Sequence, residues 1–189
     1  PRYDRQQLKT RIVHFGFGAF HRAHQALLTD RVLNAQGGDW GICEISLFSG
    51  DRLMRQLREQ DHLFTVLEKG ANGNQPIVIG AVNECLNATL DSLAAIIEKF
   101  CEPQVAIVSL TITEKGYCID PATGSLDLSN ARIIHDLQTP AEPHSAPGII
   151  VEALHRRRER GLQPFTVLSC DNIPDNGHVV KNADRKSVV

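Results

Sequence analysis

The run Arg11-Ile12-Val13-His14-Phe15-Gly16-Phe17-Gly18-Ala19-Phe20-His21-Arg22-Ala23-His24 reads as a buried strand, a tight glycine turn and the opening of a helix. Ile12 to Phe15 has the apolar continuity of a strand covered on both faces, and Gly16 and Gly18 interrupt it. A turn of this kind presents backbone N–H groups and the positive end of a helix dipole to an anion. Gly16 permits the reversal, and Gly18 removes the Cβ that would hold a diphosphate away. Phe15, Gly16, Phe17, Gly18, Ala19, Phe20, His21 and Arg22 are therefore the candidate cofactor-contacting residues, with Arg22 as a direct phosphate contact. His21 occupies the place of the third small residue of G-x-G-x-x-G. On these residues alone an ordinary strand-to-helix turn is as good a reading as a dinucleotide site.

Working outward, Ala23 and Leu27 on one row and Leu28, Val32 and Ala35 on the next predict a helix that Gly37-Gly38 stops. Trp40 to Leu47 then supplies a second strand and closes a β-α-β unit. A short helix over Asp51 to Glu59 follows. Phe64 to Glu68 and Ile77 to Val82, separated by Gly70-Ala71-Asn72-Gly73-Asn74, predict an antiparallel hairpin. Leu93, Ile96, Ile97 and Phe100 form an amphipathic stripe before the strand Val105 to Leu110. Residues 117–147 read as a long irregular excursion, with prolines at 140, 143 and 147. Gly148 to Arg160 is helical, and Phe165 to Leu168 is a last strand ending in Ser169-Cys170-Asp171-Asn172. This alternation predicts an α/β fold: a Rossmann-like, doubly wound, mostly parallel sheet with an inserted antiparallel hairpin.

Composition narrows the class. At 189 residues, 42% hydrophobic and 22% charged, the chain has ordinary globular usage and enough length for one large domain. A net charge of −2 and the lack of a long basic block argue against a nucleic-acid partner. Arg156-Arg157-Arg158, the densest basic run, reads as a solvated helix face. Five cysteines without a C-x-x-C pair fit a reducing cytosol rather than a disulfide framework or a thiolate metal site. Without a signal peptide or a bilayer-length apolar run, the expectation is a cytoplasmic chain with no membrane partner. Pro1 in place of methionine suggests that some N-terminal residues are left out.

An acidic residue after the second strand would bond the adenosine ribose hydroxyls. Asp51 is the candidate, with a helix N-cap as its competing role, and Glu44 is the poorer choice because it lies within the strand. Arg52 and Arg55 leave room for a 2′-phosphate, yet NAD is favoured over NADP. His21 and His24 form an i, i+3 pair with no third ligand at suitable spacing, so no metal site is expected. P-loop and G-x-S-x-G patterns are both absent.

Three stretches carry a family resemblance: Ile12 to Gln25, Ser109-Leu110-Thr111-Ile112-Thr113-Glu114-Lys115-Gly116-Tyr117, and Ser169-Cys170-Asp171-Asn172-Ile173-Pro174-Asp175-Asn176-Gly177. Together and in this order they resemble the mannitol dehydrogenase family of polyol-specific long-chain dehydrogenases, leaning toward the fructuronate reductases (mannonate oxidoreductases) and related sugar-acid or polyol oxidoreductases. The resemblance implies hydride transfer between NAD(H) and a secondary alcohol or ketone without zinc. It implies a lysine as general acid/base and asparagines that polarise the carbonyl oxygen.

Asn172 matches one such asparagine and is the candidate catalytic residue, an Asx turn being its alternative role. Thr111 and Glu114 end another strand on the same edge and are expected to line the nicotinamide side, strand-end hydrogen bonding being their alternative role. Asp51 matches the ribose-binding acid. The catalytic lysine belongs, in the family, to a second, mainly helical domain. Neither Lys115 nor Lys181 stands at its position. Residues 1–183 are thus expected to be an NAD-binding Rossmann-type domain, and 184–189 an atypical tail that suggests truncation. The substrate would be a sugar acid or polyol, and the fragment itself inactive. A stand-alone dinucleotide-binding module is the alternative; a methyltransferase lacks support from the second and third stretches.

Overall fold

The first parallel strands and their helix follow the expected order. β1 (Lys9–Phe15) leads through the glycine turn into α1 (Ala19–His21), a π-type turn (Arg22–Ala26) and α2 (Leu27–Gln36). β2 (Trp40–Ser46), α3 (Asp51–Glu59), β3 (Phe64–Gly70), β4 (Gly73–Ile79) and β5 (Val82–Asn87) come next. The computed structural model describes residues 1–47, 50–71, 73–120, 122–178 and 181, in two units, Pro1–Ser92 and Leu93–Val189. The tail 184–189 lies outside the described residues.

In the first unit β2 has a parallel neighbour on each side: Val13 pairs with Cys43 of β2, and Glu44 of β2 with Cys85 of β5. Ladder bonds on both edges and packing on both faces explain why Gly41 to Ile45 are all buried. β3 and β4 form the expected antiparallel hairpin, from Phe64↔Ile79 to Gly70↔Gly73.

Two expectations need correcting here. The hairpin ends at Ile79, and Val82 opens a separate strand whose polar residues hide it from a hydrophobic pattern. Glu84 accepts from the Thr10 hydroxyl at 2.6 Å, and the buried Asn87 donates to the Ser46 carbonyl at 3.3 Å and accepts from Thr89 N–H at 2.9 Å. In α2 the buried face is Leu27, Asp30 and Leu33, while Leu28 and Val32 are exposed. The π-type turn adds a residue and rotates the following helix by about 100°, moving the apolar stripe off the core. Asp30 takes a core place because it accepts from Tyr3 Oη at 2.5 Å, Asn34 Nδ2 at 2.7 Å and Gly80 N–H at 2.8 Å.

The second unit runs α4 (Leu93–Phe100), β6 (Ile107–Leu110), α5 (Thr113–Gly116), β7 (Ile119–Asp120), β8 (Ser125–Leu126), α6 (Ala131–Gln138), α7 (Ala146–Glu159) and β9 (Thr166–Ser169). β6 and β9 pair in parallel, Ile107↔Thr166 to Leu110↔Ser169. The excursion over 117–147 is therefore only partly irregular: it holds a two-residue hairpin and α6, capped by the Asn130 side chain on Arg132 N–H. Ser145 caps α7 through Gly148 N–H at 3.0 Å. Gly148 has to be glycine, since a Cβ there would meet Asp136 Oδ2 at 2.2 Å.

Arg157 also departs from expectation. It is 2% exposed, so the basic run is not a uniformly solvated face. Parallel strands with intervening helices make this the Rossmann-type α/β fold expected, with an added antiparallel hairpin.

Candidate functional site

Gly16 adopts φ +106°, a region that L side chains avoid, and its N–H donates to the Ile45 carbonyl at 3.2 Å. Gly18 N–H turns back to the Gly16 carbonyl at 2.6 Å, and Arg22 N–H reaches the Gly18 carbonyl at 3.2 Å. Helix α1 thus starts directly on the turn, with Gly18 as its N-cap and no side chain covering its first amides. A Cβ at Gly18 would meet nothing of the chain closer than the Gly16 carbonyl at 3.9 Å. The space that a glycine leaves there opens outward, which fits a diphosphate resting on the helix start.

The side chains around the turn divide into two sets. Phe15 and Phe17 are buried, Phe17 edge-on to Phe64 with centroids 5.4 Å apart. The Arg22 guanidinium lies 5.2 Å from the Phe17 ring, which leaves it half-buried beside the turn. Ala19 is exposed, as is Phe20, whose ring stacks on His24 at 4.2 Å.

His21 does not pair with His24. It turns inward, and its Nε2 lies 2.6 Å from Glu44 Oε1, both side chains fully buried. The His14 ring stacks on His21 at 3.5 Å and 15°, with His14 Nε2 donating to the Gly16 carbonyl at 3.1 Å. Glu44, the poorer ribose candidate, is thus committed to holding the helix start against β2. The strand pattern did carry a signal for this group: His14 and Glu44 are polar residues at buried strand positions, which require partners. Ligating atoms of His14, His21 and Glu44 lie within 4.8 Å of one another. The face-to-face rings suit stacking rather than shared coordination, which needs one ion in the plane of both imidazoles at about 2.0–2.1 Å.

Burial, and then the His21 ring, hold the His14 pKa well below its ordinary value. Burial raises that of Glu44 against the pull of His21. A depressed histidine contributes stability that is present above the unfolded value of 6.5 and is lost as pH falls below it. Glu44 acts with the opposite sign, so the comparison has to be with a variant. Relative to His14→Phe, wild type is expected to lose up to about 1.4 kcal/mol per pH unit below 6.5. Urea unfolding at pH 8 and pH 5.5 measures this; parallel stability curves for the two proteins would refute it.

Asp51 is the first residue of α3 and is exposed; the N-cap position belongs to Gly50, at φ +85°. Its carboxylate is therefore not occupied as the helix cap.

In the second unit Thr111 directly follows β6 and is half-buried, and Asn172, three residues after β9, is exposed. Between these strand ends lies Asp171, which the residue pattern did not single out. Its Oδ2 accepts from Ile112 N–H and its Oδ1 from Thr113 N–H, each at 3.0 Å. Tyr117 Oη donates to Oδ2 at 2.7 Å and lies 2.8 Å from Ser169 Oγ. Burial and the neighbouring Asp171 push the phenol pKa up, so Tyr117 stays a donor. Thr113 sits at φ +63°, a left-handed conformation costing a β-branched residue about 1–2 kcal/mol.

The profile described as the mannitol dehydrogenase Rossmann domain matches residues 10–186. An oxidoreductase of Escherichia coli, YeiQ, is 89% identical over 97% of this chain and 38% of its own length. The D-mannonate oxidoreductase of Escherichia coli is 54% identical, again over 97% of this chain and 38% of its own. A solved structure of Pseudomonas fluorescens mannitol 2-dehydrogenase, a ternary complex with NAD and D-mannitol, matches at a TM-score of 0.92 and 42% identity, covering all of this chain and 39% of that one. The chain thus spans about 38% of the length of these curated relatives.

Proposed function

The chain belongs to the mannitol dehydrogenase family, and from that premise we propose that it is the cofactor-binding part of a cytoplasmic, NAD-dependent oxidoreductase acting on the CH–OH group of a sugar acid or polyol. The observation that carries the reading is the uncapped helix start at Gly18, reached through Gly16 at positive φ, with open space where a side chain would stand. When bound there, NAD supplies the hydride acceptor.

In this reading the amides of Ala19 and Phe20 receive the diphosphate, the missing side chain of Gly18 lets it approach, and Arg22 adds a cation beside it. Phe15, Phe17 and His21 shape the turn from below. Asp51 accepts from the adenosine ribose hydroxyls, and its negative charge disfavours a 2′-phosphate, which favours NAD. Thr111 lines the nicotinamide side, and the Asn172 carboxamide donates to the substrate oxygen as charge develops on it. The proton is handled by the lysine that the family places in a further domain. The substrate class is supported by D-mannonate oxidoreductase at the sugar-acid end and by mannitol 2-dehydrogenase at the polyol end.

Calorimetry with NADH and AMP tests the cofactor half. NADH is expected to bind the chain at least about tenfold more tightly than AMP. Gly16→Val, which forces a β-branched residue to φ +106°, is expected to weaken NADH by about tenfold or more. Equal affinity for NADH and AMP would leave no nicotinamide pocket. Unchanged NADH binding by Gly16→Val would remove the glycine turn from the site.

A further inference from the structure

Helix α5 follows Thr111 and does not provide for its own first amides. Its N-cap is Ile112, an apolar residue with no side-chain acceptor to offer. The acceptor comes instead from Asp171, on the other strand end, through both carboxylate oxygens. Tyr117, the C-cap residue of the same helix, is 2% exposed and donates its hydroxyl to that carboxylate. One carboxylate therefore grips both ends of α5. On the far side of Asn172, the Asn176 carboxamide donates to the Asp171 carbonyl at 3.1 Å and lies 3.4 Å from the Ser169 carbonyl, closing the turn in which Asn172 stands.

We infer that Asp171 is a positioning residue: by tying the Thr111–Thr113 segment to the turn that carries Asn172, it sets the geometry of the nicotinamide side of the site. This rests on the roles proposed above for Thr111 and Asn172. Three of the carboxylate's roughly four acceptor sites are taken by Ile112, Thr113 and Tyr117, so its charge serves mainly to hold these groups in place. A helix cap alone could be supplied by a polar residue at position 112. Supplying it from 59 residues away extends the link between the two strand ends beyond the last backbone bond, Cys170 N–H to the Leu110 carbonyl at 2.8 Å, to the segment after Thr111 and the turn that carries Asn172.

The test uses the intact protein with two probes, NADH and ADP-ribose, which share every group except nicotinamide and its ribose. Wild type is expected to favour NADH by about tenfold or more. Asp171→Asn replaces one carboxylate oxygen with an NH2 group, so whichever of the Ile112 and Thr113 N–H groups it faces loses its acceptor. The NADH preference should fall about fivefold while ADP-ribose affinity stays within about twofold of wild type. Tyr117→Phe, which keeps the ring and removes only one donor, should shift the preference the same way by about two- to threefold. It decides the matter if Asp171→Asn does not fold. A wild-type preference retained by the folded variant, or equal loss of both ligands, would overturn the inference. If wild type itself fails to prefer NADH, the roles of Thr111 and Asn172 fall first and the inference falls with them.

Discussion

Arg157→Ala is expected to lower the unfolding free energy by about 3–5 kcal/mol, a fall in Tm on the order of 10 °C. The guanidinium is buried and spreads its donors over four backbone carbonyls: Nη1 to Phe100 and Glu102 at 2.8 Å each, Nε and Nη2 to Gln163 at 2.8 and 2.6 Å, and Nη2 to Val105 at 3.3 Å. Phe100 ends α4, so a cation here meets the negative end of a helix dipole and satisfies carbonyls that the helix leaves without partners. The Phe165 ring covers the group at 5.5 Å. Alanine strips these acceptors of their donor and opens a cavity in the same step. Arg157→Lys should recover only part of the loss, because three ammonium donors on a point charge cannot match the planar fork. Denaturant unfolding decides it: a loss under about 1 kcal/mol for the alanine variant would mean that solvent reaches the four carbonyls.

Glu44→Ala is expected to cost a similar amount, about 3–5 kcal/mol, for a different reason. It leaves the His21 ring in a dry site without its partner at 2.6 Å, next to a second imidazole stacked at 3.5 Å. His21 Nδ1 and Glu44 Oε2 already lack hydrogen-bond partners among the described residues, so the pair offsets its own desolvation only in part. Replacing both members with apolar residues, Glu44→Met with His21→Leu, should therefore recover most of the stability that Glu44→Ala loses. A double variant as unstable as Glu44→Ala would show that the pair is strongly favourable. A harmless Glu44→Ala would show that His21 finds another partner. Because His21 lies in the first turn after Gly18, the same variants are a direct way to learn how firmly the helix start must be held for a diphosphate to bind.

Much of this was legible in the residues. Gly16 and Gly18 mark the strand-to-helix turn because only glycine tolerates φ +106° and only its missing side chain leaves the helix start open. The helix Asp51–Glu59 and the hairpin joined at Gly70 and Gly73 follow from spacing and turn chemistry over a few residues. β5 was not legible, because Asn83, Glu84 and Asn87 break the apolar pattern and are tolerated through bonds to residues elsewhere in the chain. The rotated face of α2 was hidden by one extra residue in the turn before it.

The residues alone were enough for the strand–turn–helix at the glycines, the helix Asp51–Glu59, the hairpin and, through three ordered motifs, the family, since each depends on local dihedral preference, short-range periodicity or a contiguous match. Tertiary structure alone decided that His21 faces Glu44, that Arg157 is buried rather than solvated, and that Asp171 binds the segment after Thr111. These contacts join residues 23 to 59 positions apart, and whether a polar side chain is hydrated or paired depends on what the fold brings beside it.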